Sequence, residues 1–134
     1  MLEFVRIQTA VLLRRLVYQV VRIGKSGDNP DAIHDLRVAL RRLSQCLRVF
    51  SAFYPGHSWK KIRKALAELM QLAGAVRDRD IALALLAEAG APSRSVVVTR
   101  LRSERKLAAR ELVWEARRWK RKSFSRKWRA MLEL

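Results

Sequence analysis

Cysteine occurs once in this 134-residue sequence, as Cys46, and histidine twice, as His34 and His57. A single thiol excludes an internal disulfide framework, and one cysteine beside two histidines leaves too few soft ligands for a zinc site. A reducing, cytoplasmic setting fits that usage. Glycine and proline are scarce, at five and three residues, which excludes collagenous and low-complexity chains. Long apolar runs are missing as well. Arg14, Arg15 and Arg22 interrupt the first segment, and no stretch reaches the roughly 20 residues of a membrane helix. The opening Met-Leu-Glu-Phe-Val-Arg has neither the basic lead nor the apolar block of a secretory signal. Acidic residues number only 12.

Against those acids stand 29 Lys plus Arg, for a formal net charge of +17, while half of all residues are hydrophobic. The apolar share is too high for a disordered basic tail, so one folded domain is expected. Unbalanced like charge opposes the compact state and favours a polyanionic partner that neutralises it.

Glycine and proline cluster at Gly24 to Pro30, at Pro55-Gly56 and at Gly90 to Pro92, dividing the chain into four long segments. In the first, Val5, Leu12, Leu16, Val20 and Ile23 recur at helical spacing, which predicts a helix over about residues 3–23. Asn29-Pro30-Asp31 supplies an N-cap, a proline at the first helical position and an acid at the positive end of the dipole, so a second helix runs from there to about Phe53. A third starts after Ser58 as cap, carries Ile62, Leu66, Leu69, Ala73 and Val76 on one stripe, and reaches about Ala89; Gly74 within it permits either a kink or a close backbone approach. A fourth begins near Ser93, with Leu101, Ala108, Leu112 and Trp119 on a common face. Val96 to Thr99 is too short to compete as a strand. The expected architecture is all-α, an antiparallel four-helix bundle of long helices over residues 1–122, followed by a basic aromatic extension over 123–134.

The second helix is the most informative. At 100° per residue, His34, Arg37, Arg41 and Arg48 fall within about 60° of one another, opposite Leu36, Leu40, Leu43, Leu47 and Phe50. One face is core and the other a ladder of cations about 21 Å long. Arginine suits phosphate because its planar guanidinium offers two parallel hydrogen bonds and stays charged at any physiological pH. A basic helix face is often merely solvated. Here the same excess recurs at Lys60, Lys61, Arg63 and Lys64 on the third helix and at Arg102, Arg105, Lys106 and Arg110 on the fourth, which favours a binding surface.

The run His34-Asp-Leu-Arg37-Val-Ala-Leu-Arg41-Arg42-Leu, ending in Leu47-Arg48-Val-Phe50, closely resembles the signature of CHAD domains, the conserved-histidine α-helical domains. Downstream, Leu72-Ala-Gly74-Ala-Val-Arg77-Asp78-Arg-Asp80-Ile resembles that family's glycine, arginine and paired-aspartate segment. The resemblance covers residues 1 to about 122. It implies an all-helical domain that binds inorganic polyphosphate through a basic central groove and is found with polyphosphate granules. Carried over by position, His34, Arg37, Arg41, Arg42 and Arg77 are the implied ligand residues. Arg48, Lys61, Lys64, Arg102 and Arg105 join them on helical spacing and charge. Ser44 stands where the family usually carries a further arginine, and the chain corresponds in length to about half of the usual domain. A homodimer is therefore expected to rebuild the two-bundle groove, with Trp114, Trp119, Trp128 and Met131 as available apolar surface.

Asp78 and Asp80 lie two apart and point to different helix faces, which suits pairing with arginine better than magnesium binding. No nucleophile–base pair, glycine-rich phosphate loop or cluster of catalytic carboxylates is present. A binding module is expected, with no enzyme activity, no cofactor and no membrane insertion. The rival reading is nucleic-acid binding. Between Trp114 and Arg129, eight Lys plus Arg against one Glu are interleaved with Trp114, Trp119, Phe124 and Trp128, a composition suited to base stacking and phosphate contact.

Overall fold

The computed structural model describes residues 2–134. Five helices form among them: α1 (Leu2–Ser26), α2 (Pro30–Val49), α3 (Ser58–Glu88), α4 (Val96–Arg121) and α5 (Phe124–Leu132). Packing runs α1 against α2, α2 against α3, α3 against α4 and α4 back against α1. Short connections between consecutive helices make this the antiparallel bundle that the spacing of the apolar residues predicts.

The capping chemistry sets the boundaries. Asn29 accepts a hydrogen bond from the Asp31 N–H at 2.9 Å, fixing the start of α2. Its end comes at Val49, four residues before the expected Phe53, because Ser51–Phe53 tightens into a 3-10 turn. The reason lies in Pro55, which forces the preceding Tyr54 into extended backbone (ψ 148°). That turn carries the Tyr54 ring into the core, where its hydroxyl meets Thr9 Oγ1 at 2.7 Å. At the next helix His57 occupies the cap position, without a side-chain hydrogen bond, and Ser58 is already helical. Ser95, rather than Ser93, caps α4 by accepting from the Val98 N–H at 3.3 Å, so the valine run becomes the first helical turn.

The expected stripes of α1, α2 and α3 face inward, with Leu13 taking the fully buried place next to Leu12; on α4, Leu112 and Trp119 are buried as expected, but Leu101 and Ala108 are only partly so, and Val98, Ala109 and Ala116 complete the buried face. Leu36, Leu40, Leu43 and Leu47 of α2 are fully buried with Ile62, Leu66, Leu69 and Val76 of α3, and with Leu13, Leu16 and Ile23 of α1. Each such side chain contributes roughly 1.5–3 kcal/mol relative to exposure. The chain beyond residue 122 is also helical. Ser123 adopts a left-handed conformation (φ 53°), and the chain then turns into α5, which packs on α3, α1 and α4. Phe124 and Trp128 stack edge to face at 5.1 Å between ring centroids, and Trp119 of α4 lies 5.1 and 5.2 Å from them. These three aromatics and Leu132 belong to the same core as the four long helices.

α3 is the longest element, at 31 residues, and it passes through Gly74 without a break. A Cβ at Gly74 would meet no atom within 4 Å. Of the two roles open to this glycine, the close backbone approach is absent, and the residue instead leaves open space on the edge of α3.

Candidate functional site: the α2–α3 groove

Helical rotation places the cations of α2 on its exposed face, and the packing of α3 gives that face a second wall. A groove of about 330 Å³ runs along the seam, lined on α2 by Arg41, Ser44, Gln45 and Arg48 and on α3 by Arg63, Ala67 and Met70. On α3, Arg63, Ala67, Met70, Gly74 and Arg77 fall within about 80° of one another at 100° per residue. One edge of α3 therefore carries an arginine at each end and two small residues between them. Met70 stands between Ala67 and the open space at Gly74 on this edge.

The cations along this seam lack internal counter-ions. Among the described residues, Arg37, Arg41, Arg48 and Arg77 form no ion pair, and no carboxylate lines the groove. Asp35, the acid nearest in sequence to the ladder, is drawn to the other side of α2, where Arg22 of α1 holds it at 2.6 Å. Arg37 is half-buried, and its Nε has no hydrogen-bond partner among the described residues. Arg63 donates from Nε to Ser44 Oγ at 3.2 Å, across the seam.

The structure gathers only part of the expected set. His34 and Arg37 lie on the first turns of α2, and Arg41 and Arg48 on the turns that follow, all on the groove side; Arg77 lies on the facing edge of α3. Arg42 turns away and lines a separate depression between α1 and α2 with Arg15, Tyr18 and Asp35. Lys61 and Lys64 are exposed, but lie about 160° and 100° around α3 from Arg63. Arg102 and Arg105 sit on α4, across the bundle from α2. The first donates to the Ser93 carbonyl at 3.1 Å, and the second is held by Asp80 at 2.5 Å and by the Asp28 carbonyl at 2.7 Å. Asp80 thus has the arginine-pairing role expected of it, and its partner comes from another helix.

Arg63 is the groove cation that helical spacing on α2 could not reveal. The available signal was the recurrence of Arg63, Ala67, Gly74 and Arg77 on one edge of α3. The tryptophans also divide. Trp119 and Trp128 are each 9% exposed inside their own subunit, whereas Trp114 is 59% exposed.

The family model for the CHAD domain matches residues 9–134. No curated protein and no solved structure matches the chain significantly. No helix among the described residues is long and apolar enough to cross a membrane.

Proposed function

The chain belongs to the CHAD domain family, and from that premise we propose that it binds inorganic polyphosphate without catalysis, in the groove between α2 and α3. The observation that carries this reading is the row of unpaired arginines, Arg37, Arg41, Arg48 and Arg77, on the facing edges of α2 and α3, completed by Arg63 across the groove. From Arg37 to Arg48 the α2 ladder rises about 16 Å, and Arg63 to Arg77 spans about 21 Å of α3. A linear anion lying along the seam meets guanidinium groups from both walls. Its phosphates replace the missing counter-ions, so binding relieves repulsion that the empty protein carries. Such binding would bring the protein to polyphosphate granules.

A groove with no aromatic side chain in its lining lacks the ring platform on which a nucleobase stacks best. This favours a ring-free polyanion over nucleic acid at this site. The test compares two doubly substituted proteins of equal net charge. Arg37→Glu with Arg41→Glu should weaken polyphosphate binding about a hundredfold, since hydrogen bonds to charged groups contribute roughly 1.5–3 kcal/mol each and the two losses overlap. Lys61→Glu with Arg102→Glu should weaken it only a few-fold through long-range charge. Equal losses, or displacement of polyphosphate by duplex DNA at equal phosphate concentration, would show diffuse attraction without a defined groove.

A further inference from the structure

Trp114 presents its indole to solvent on the outer face of α4, although burying a tryptophan typically removes 150–250 Å² from water. It divides two hollows. One, of about 420 Å³, opens between the end of α1 and α4, with Lys25, Arg110, Arg117 and Arg121 around Trp114 and Asp28 as its one carboxylate. The other, of about 440 Å³, lies over Leu72 and the same indole, with Arg110 beside Glu111 and Glu115. Glu115 is already paired with Arg118 at 2.9 Å. Trp114 and Arg110 therefore border both hollows, while Lys25, Arg117 and Arg121 stand only in the first.

The placement follows from local packing. Arg110, Trp114, Arg117 and Arg121 recur at i, i+4, i+7 and i+11, which puts them on one stripe of α4. Gly27 brings the end of α1 against that helix, because a Cβ there would collide with the Val113 side chain. Arg117 is fastened to the Gly24 carbonyl at 2.9 Å, so it acts as a wall of the hollow. Lys25, Arg110 and Arg121 make no ion pair among the described residues. Arg110 and Arg121 stand about 6 and 10 Å along the axis from Trp114.

An aromatic plane next to unpaired cations suits a ligand that carries a ring and a phosphate in one molecule. We propose that Trp114, with Lys25, Arg110 and Arg121, forms a second anion site, separate from the α2–α3 groove, that takes a nucleobase-bearing phosphate. The base stacks on the indole and the phosphates lie in the cationic hollow. The ligand's source is either a free nucleoside polyphosphate or a single-stranded nucleic acid, and the stacking chemistry is common to both.

The test measures binding of adenosine triphosphate, inorganic tripolyphosphate and oligo(dA) at fixed ionic strength to the full chain carrying Arg37→Glu and Arg41→Glu, so that tripolyphosphate held in the α2–α3 groove does not enter the comparison. Tripolyphosphate carries at least as much charge and has no ring, so any preference for the nucleotide over it cannot be Coulombic. The expected preference is about tenfold, within the range of base–aromatic stacking. Adding Trp114→Leu to this background should abolish it, Trp114→Phe should keep most of it, and adenosine triphosphate should quench the fluorescence of the parent but not of the Trp114→Leu protein. Oligo(dA) binding tighter than the nucleotide, at equal base concentration, assigns the site to single strands, and the reverse order assigns it to free nucleotides. No preference over tripolyphosphate, or a preference that survives Trp114→Leu, overturns the proposal. Whether or not the α2–α3 groove holds polyphosphate in the wild type, the ratio in this background reports on Trp114 alone.

Discussion

Arg105 was expected from sequence to face the ligand, but its geometry gives it a structural task. Its Nε meets Asp80 Oδ1 at 2.5 Å, and its Nη2 meets the Asp28 carbonyl at 2.7 Å, so one guanidinium ties α4 to α3 and to the α1–α2 connection. The side chains of the ion pair are 19% and 23% exposed, less than those of Arg22 with Asp35 at 32% and 45%. Replacing Arg105 with Gln leaves the Asp80 carboxylate partly buried without its counter-charge. Breaking a fully buried pair costs about 3–5 kcal/mol, and the residual solvation here reduces that to roughly 2–3 kcal/mol. For a domain of this length, that loss lowers the melting temperature by about 7–11 °C. Arg105→Gln combined with Asp80→Asn should recover part of the loss, because the double variant leaves no unpaired carboxylate. Polyphosphate affinity should change no more than for Arg100→Gln, an exposed α4 arginine of equal charge. Thermal unfolding followed by circular dichroism, and a binding titration well below the transition, check both halves. An unchanged melting temperature with an affinity loss as large as that of Arg41→Gln would refute the structural role and return Arg105 to the ligand.

Three further outcomes rest on other parts of the molecule. Burial raises the Tyr54 hydroxyl above its ordinary pKa of 10, so above pH 10 the unfolded chain releases the proton first; stability is fully present below that pH and falls as pH rises. Tyr54→Phe should flatten the alkaline limb of the stability–pH curve relative to wild type, and an equally steep limb would show that the phenol does not contribute. Trp128→Ala, which empties the center of the Trp119–Phe124–Trp128 cluster, should destabilise by about 3–5 kcal/mol, measured by urea unfolding. Arg126→Gln with Lys127→Gln, exposed on α5, should leave both stability and polyphosphate affinity nearly unchanged. A small effect of Trp128→Ala would mean that α5 is not part of the cooperative unit.

The four long helices were legible in the sequence because each buries a stripe that repeats every three or four residues, a local property of the chain. The start of α2 was equally local, since Asn29-Pro30-Asp31 satisfies its own backbone. The end of α2 was less so. Pro55 acts on Tyr54, and the shortening depends on where the Tyr54 ring is received, beside Thr9 on another helix. The tail behaved similarly: interleaved basic and aromatic residues suit a stacking surface or a packed helix equally well. Only the presence of Trp119 at 5.1 and 5.2 Å decided that Phe124 and Trp128 face inward.

The same division holds for the groove. A single helix determines which of its own residues share a face, so the sequence by itself set the ladder of His34, Arg37, Arg41 and Arg48. It could not say which cations on other helices join that ladder, because this depends on which helices are neighbours and on their relative rotation. Tertiary packing brought Arg63 to Ser44, carried Arg42 to the α1 side, and tied Arg105 to Asp80 across the bundle from α2. Charge composition set the excess of cations, while the packing of α3 beside α2 decided where the unpaired guanidinium groups converge, since an arginine's role is set by whether a carboxylate lies within its reach.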